Sequence, residues 1–179
     1  MRNIELKARC PDLAGAEAAC RRLGARRAWT RRQTDVYFAA SRGRLKLRIE
    51  EPGGATLVAY HREDRPAARE SRYELTPVDQ PQAALAELAA RHGLAGRVEK
   101  TRTLYQLATV RIHLDAVRGL GTFVELEAAM GEGDAEDAVR QRVGRLAEEL
   151  GVEPGHLVGV SYRDLLARAR RPEGRRGEA

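Results

Sequence analysis

Charged and aliphatic residues alternate without a break over residues 44–50 (Arg-Leu-Lys-Leu-Arg-Ile-Glu), the period of a strand whose two faces meet different surroundings. Residues 3–9 repeat the habit, with Asn3, Glu5, Lys7 and Arg9 opposed to Ile4, Leu6 and Ala8, and residues 109–117 set Arg111, His113 and Asp115 against Val110, Ile112 and Leu114. One such strand is ordinarily a solvated sheet face with cross-strand ion pairs. Here at least five strands share the pattern, and their polar faces carry long charged side chains instead of the Thr, Ser and Gln mixture of an exposed sheet. A sheet with that habit can close on itself, aliphatic side outward under helices and charged side lining a lumen.

The remaining punctuation supplies enough strands for closure. Residues 33–38, 56–62, 70–76, 97–107 and 123–127 read as further strands, giving eight, and turns at 41–43, 52–54 and 119–121 join neighbours closely enough to favour an antiparallel sheet. Helices are predicted at 12–24 after Pro11 and Asp12, at 80–92 before Gly93, at 134–150 before Gly151, and at 161–169 behind a serine cap. The expected fold is therefore α+β, a closed eight-stranded antiparallel β-barrel or tunnel with helices outside. One domain spans residues 1–170, followed by a disordered basic tail at 171–179.

Composition narrows the setting. A chain of 179 residues can bury a core without disulfides or a structural metal, and Cys10 and Cys20, in no metal-binding spacing, read as reduced, partly buried side chains. No apolar run is long enough to span a membrane and no signal peptide is recognisable, so a cytoplasmic, non-membrane location is expected. The net charge of +6 favours polyanionic partners, but aromatics at 4% leave too few stacking residues for nucleic acid to be a favoured one. A phosphorylated small molecule suits the charge better, and a homodimer is admitted as a partner state.

Of 32 lysines and arginines only three are lysine, at Lys7, Lys46 and Lys100, each on the polar side of a strand. In a chain that uses arginine wherever positive charge suffices, they mark places for a compact ammonium with rotatable donors, as in a phosphate clamp. Like charges cannot fill a lumen without partners. Lys7, Lys46, Arg48, Arg62, Arg72, Lys100 and Arg102 could clamp a triphosphate, while Glu5, Asp115, Glu125 and Glu127 offer the hard oxygens that Mg²⁺ or Mn²⁺ takes. Glu125 and Glu127, two apart on one strand, point the same way.

These residues resemble the CYTH superfamily of triphosphate tunnel metalloenzymes, which includes class IV adenylyl cyclases, thiamine triphosphatases and inorganic triphosphatases. The resemblance lies in an ordered set: Asn3-Ile4-Glu5-Leu6-Lys7 against the ExExK signature, then Gln33 to Phe38, Gly43 to Arg48, Val98 to Arg102, His113-Leu114-Asp115, and Gly121 to Glu127. It implies a metal held by Glu5, Glu125 and Glu127 with Asp115 as a further ligand, phosphates held by Lys7, Lys46, Arg48, Lys100 and Arg102, and catalysis at Glu5, Lys7 and Glu127. Arg62, in preference to His61 of opposite parity, is the basic residue of the fourth strand, and Arg72 and Glu74 are carried with the fifth.

One departure is visible, because Asn3 stands where the signature has its first glutamate and removes a negative charge from the metal site. Hydrolysis of a triphosphate is the leading expectation, cyclisation of ATP to cyclic AMP and pyrophosphate the second, and non-catalytic binding of polyphosphate or nucleotide the third. His113 is expected to hydrogen-bond structurally, Trp29 and Tyr105 to pack, and Ser161-Tyr162 to close the end of the barrel.

Overall fold

The computed structural model describes residues 1–170, and the tail expected at 171–179 lies outside the described residues. Eight strands, β1 (Arg2–Arg9), β2 (Arg26–Phe38), β3 (Arg44–Glu51), β4 (Ala55–Arg62), β5 (Arg69–Val78), β6 (Leu94–Leu107), β7 (Val110–Val117) and β8 (Gly121–Ala129), form a closed antiparallel barrel. Their order around it is β1-β5-β4-β3-β2-β6-β7-β8, and β8 pairs with β1 to complete the ring. Closure leaves no unpaired sheet edge.

The aliphatic halves of the alternating strands carry the core, and it lies outside the barrel. Ile4, Leu6 and Ala8 of β1, Ile112 and Leu114 of β7, and Val124 and Leu126 of β8 pack under helix α1 (Leu13–Arg22) and helix α3 (Glu136–Glu149), whose Cys20, Val139, Val143 and Leu146 face them. On the opposite wall Val36, Phe38 and Leu47 meet Leu85, Leu88 and Ala89 of helix α2 (Pro81–His92). Each fully buried large aliphatic contributes about 1.5–3 kcal/mol. This outer packing offsets the cost of the charged interior.

Helix ends follow the residues that cap them. The Asp12 carboxylate accepts from the Gly15 N–H at 2.8 Å at the start of α1, and Gly24 after its end takes φ +75°, the left-handed conformation that glycine adopts without strain. A 3₁₀ turn (Pro154–His156) leads to helix α4 (Tyr162–Ala169), which opens on a capping box between Ser161 and Asp164. The approach to α4 is tied to β1, with the Val158 N–H donating to the Lys7 carbonyl at 2.8 Å. Tyr162 is thereby set against Phe123, ring centroids 4.9 Å apart, at one end of the lumen.

Strand β2 departs most from its expected bounds. Strand β2 starts at Arg26 instead of residue 33, and its added stretch is masked in the sequence by Arg26, Arg27, Arg31 and Arg32, which put charge on both faces and erase the alternation. The partner that holds it is β6, paired from Arg26↔Gln106 to Phe38↔Leu94 with register shifts between Arg27 and Trp29 and between Tyr37 and Phe38. Cys10 and Cys20 are buried and free, and among the described residues no helix is long and apolar enough to cross a membrane.

Because the core is external, Ile112→Ala should lower the unfolding free energy by about 2–5 kcal/mol in urea titrations, whereas Leu94→Ala, 66% exposed, should change it by no more than about 0.5 kcal/mol.

Candidate functional site

Strand parity delivers the charged residues to one cavity of about 260 Å³ inside the barrel, near the lower end of ligand-pocket sizes, about 300 Å³. Of the expected residues, Glu5, Lys7, Lys46, Arg48, Arg62, Lys100, Arg102, Glu125 and Glu127 all line it. Adjacent strands place these side chains opposite one another, with Asp35 facing Arg48, Lys7 facing Glu125 and Arg102 facing Asp115. The lumen is therefore a set of cross-strand ion pairs folded inward.

Its basic wall converges on Asp35. Lys46 Nζ lies 2.8 Å and Lys100 Nζ 3.3 Å from Asp35 Oδ2, while Arg48 donates from Nε to Oδ1 at 2.8 Å and from Nη2 to Oδ2 at 3.2 Å. Burial alone pushes a carboxyl up, but Arg48, Lys100 and Lys46 together hold Asp35 well below the usual carboxylate range. One carboxylate cannot satisfy three cations. Burial and the neighbouring Arg48 push Lys46 down to about 7, and burial with Arg102 lowers Lys100 as well. The wall is thus poised for an added anion.

The opposite wall is built around carboxylates that cations hold from behind. Arg102 clamps Asp115 through Nε to Oδ1 at 2.6 Å and Nη2 to Oδ2 at 2.5 Å, and the same Nη2 reaches Glu125 Oε2 at 2.6 Å. Lys7 Nζ stands 3.4 Å from Glu125 Oε1 and 4.1 Å from the centre of the Tyr162 ring, and Arg111 Nη2 stands 2.8 Å from Glu127 Oε2. Burial raises these carboxyls, but Lys7 and Arg102 keep Glu125 well below the ordinary range, and His113 and Arg111 lower Glu127. Glu5 differs. Its Oε1 accepts from Arg69 at 3.0 Å and forms an ion pair with Arg62 Nε at 3.1 Å, yet burial dominates and its pKa is raised.

Three side chains could hold a metal together. His113, Glu125 and Glu127 each present a ligand atom, and these atoms lie within 4.8 Å of one another. Burial, then Arg102, lowers the His113 pKa and favours the neutral ring that a metal requires. His113 Nδ1, Asn3 Oδ1 and Gln33 Oε1 are buried without a hydrogen-bond partner, and all three residues line the cavity. Orphaned buried polar atoms are uncommon and, gathered on one cavity, point to a ligand.

Several expected roles need correction. Arg72 is on the outer face, its side chain 69% exposed and bonded to Glu70 at 3.0 Å, because the inward positions of β5 are the odd ones, and Glu74 is outward with it. The inward cation of that region is Arg69, which is 1% exposed and paired with Glu5. Asp115 does not border the cavity; both its oxygens accept from Arg102 and Oδ2 also accepts from the Tyr162 hydroxyl at 2.9 Å, so it braces Arg102 behind the lining. Trp29 lines the cavity beneath Arg31, whose guanidinium carbon lies 4.7 Å from the ring centre, while Tyr105 packs outside and donates to Glu17 at 2.7 Å. Arg62 is inward and buried, and His61 is exposed.

A barrel with a charged lumen of this kind defines a class, and the CYTH domain model matches residues 1–162. The chain belongs to the CYTH family. Among its relatives is a Methanocaldococcus jannaschii protein, provisionally named an adenylate cyclase, that is 22% identical over 172 residues covering 92% of this chain and 98% of that one. The PH1012 protein of Pyrococcus horikoshii is 25% identical with a TM-score of 0.79, covering 91% of this chain and 98% of that structure. A Hippeastrum protein described as an adenylyl cyclase candidate with dominant triphosphatase activity is 16% identical with a TM-score of 0.68, covering 96% and 98%.

The shared anion on the basic wall has a measurable consequence. Asp35→Asn, which leaves three cations facing one another, should cost about 3–5 kcal/mol of stability. Added tripolyphosphate should raise the variant's thermal midpoint by more than it raises that of the unaltered protein.

Proposed function

We propose that the chain binds a triphosphate in the barrel lumen, with Mg²⁺ or Mn²⁺, and hydrolyses its terminal phosphoanhydride. The observation that carries this reading is the convergence of Lys46, Arg48 and Lys100 on the single carboxylate of Asp35, facing a cavity whose other wall holds a carboxylate and imidazole cluster. A chain of phosphates offers many charged oxygens in a narrow, extended form, which matches a tunnel lined with forked and point-charge donors. Family membership adds a class in which triphosphatases and adenylyl cyclases both occur.

The residues act mainly by position and charge. Lys46, Lys100 and Arg48 donate to phosphate oxygens on one wall, Asp35 remaining between them to keep their geometry, while Lys7, Arg62 and Arg102 face the substrate from the other. The fixed donors stabilise charge that spreads over the transferred phosphoryl group. Glu125 and Glu127, beside the partnerless His113 Nδ1, fit a divalent cation, which when bound would neutralise phosphate oxygens. Glu5, raised by burial and bordering the cavity, is suited to hold a proton from the attacking water, with Arg62 and Arg69 orienting it.

Incubation with Mg²⁺ or Mn²⁺ and a panel of tripolyphosphate, ATP and thiamine triphosphate tests the reading. Release of orthophosphate is expected, with Lys46→Ala and Arg48→Ala each lowering kcat/KM by at least about 10²-fold. Formation of cyclic AMP and pyrophosphate, or tight binding without turnover, would overturn hydrolysis.

The low Lys46 pKa gives a second test. A polyanion favours the charged ammonium and raises that pKa from about 7, so binding at pH 8 should take up close to one proton and weaken as pH rises. Calorimetry in buffers of different ionisation enthalpy measures the uptake, and in Lys46→Arg it should fall by most of one proton.

A further inference from the structure

His113 is the cavity residue whose expected structural hydrogen bond is missing. It faces Glu125 across the β7–β8 ladder and is 5% exposed, yet its Nδ1 has no hydrogen-bond partner. The nearest carboxylate oxygens, Glu125 Oε2 at 3.9 Å and Glu127 Oε1 at 3.8 Å, are beyond hydrogen-bonding reach. Both separations fall below about 4.2 Å, the widest spacing of two donors on one ion with bonds of about 2.1 Å, and an inward shift of the side chains would bring them to about 3.0 Å, the spacing of adjacent donors in an octahedron. Meanwhile Lys7, Arg102 and Arg111 hold the two carboxylates from other sides, so both are oriented before any ion arrives. Cations that fix ligating carboxylates in this way act as outer-shell support.

Charge points the same way. Asn3, 3% exposed, lines the cavity with its Oδ1 also partnerless, and it contributes a neutral oxygen where a carboxylate would add negative charge. A site with less anionic charge and a buried nitrogen donor is less suited to Mg²⁺, which keeps its waters and prefers oxygen, than to a first-row transition ion.

We propose that His113 ligates the divalent cation directly through Nδ1, completing with Glu125 and Glu127 a one-imidazole, two-carboxylate site that selects Mn²⁺ over Mg²⁺. The imidazole then carries its hydrogen on Nε2. This rests on the reading that the lumen takes a divalent cation with a triphosphate, and it narrows which cation and which donors.

The test is electron spin echo spectroscopy of Mn²⁺ bound to the full chain, with and without tripolyphosphate, in the unaltered protein, in His113→Gln and in protein carrying ¹⁵N-histidine. Directly coupled nitrogen modulation is expected in the unaltered protein, changing to the ¹⁵N pattern on labelling and vanishing in H113Q. Calorimetry should show Mn²⁺ affinity falling at least tenfold in H113Q while Mg²⁺ affinity changes less than threefold. Circular dichroism and the urea unfolding midpoint of H113Q check that the barrel is intact, and should they fail, the label substitution in the unaltered protein decides alone, His113 being, among the described residues, the one histidine that lines the cavity.

Bound Mn²⁺ without histidine nitrogen coupling, or no Mn²⁺ binding at all, overturns the proposal. Turnover of tripolyphosphate alongside that result would leave the proposed function standing. Nitrogen-coupled Mn²⁺ in a protein that neither binds nor cleaves triphosphate would instead sink the proposed function and keep the metal site.

Discussion

Asp35 is the anion on which the basic wall depends. It is 1% exposed and carries Lys46, Arg48 and Lys100 at once, so the barrel can be assembled with its cations inside before any substrate is present. Without it, the desolvation of three positive groups would have no counterweight. With it, the charges are only partly balanced, and the shortfall is left facing the cavity. Arg102 has the reciprocal role on the other wall, joining Asp115 to Glu125. The pairs that let the barrel fold with charge inside thus also set the charge that faces the cavity.

The division of labour between the two strand faces explains how a chain so charged keeps a stable fold. Apolar packing lies between the barrel and its helices, and the lumen is free to be polar because it contributes little to the core. Helix α4 links the two regions, since Tyr162 packs on Phe123, bonds Asp115 and sits over Lys7. A disturbance at that helix reaches the lumen through these three contacts.

Much of this is legible in the residues. The period of two in β1, β3, β7 and β8 specifies which side chains turn inward, and the isolated lysines identify three positions on the cavity. Where charge occupies both parities the signal fails. Arg69 and Arg72 lie in a stretch crowded with Arg and Glu, and nothing local says where β5 begins, so the buried cation and the exposed one exchange places. Asp35 is overlooked for another reason. In Gln-Thr-Asp-Val-Tyr-Phe it is a lone acid among strand formers, and its importance comes from Arg48 across one ladder and Lys100 from the strand on the other side. His113 lies opposite Glu125 across the β7–β8 hairpin, a neighbour relation that the local turn sets, but the lack of a partner for its Nδ1 shows only in the packed lumen.

The scarcity of lysine allows occupation of the lumen by a triphosphate to be measured directly. Lys7, Lys46 and Lys100 are the chain's only lysines and all three line the cavity. Protein labelled with ¹⁵Nζ-lysine therefore offers three ammonium resonances that report from the lumen alone. Titration with tripolyphosphate should move all three together, saturating at one equivalent, while orthophosphate at the same concentration should not. Tripolyphosphate that binds the protein and leaves the three resonances where they were would contradict that occupation.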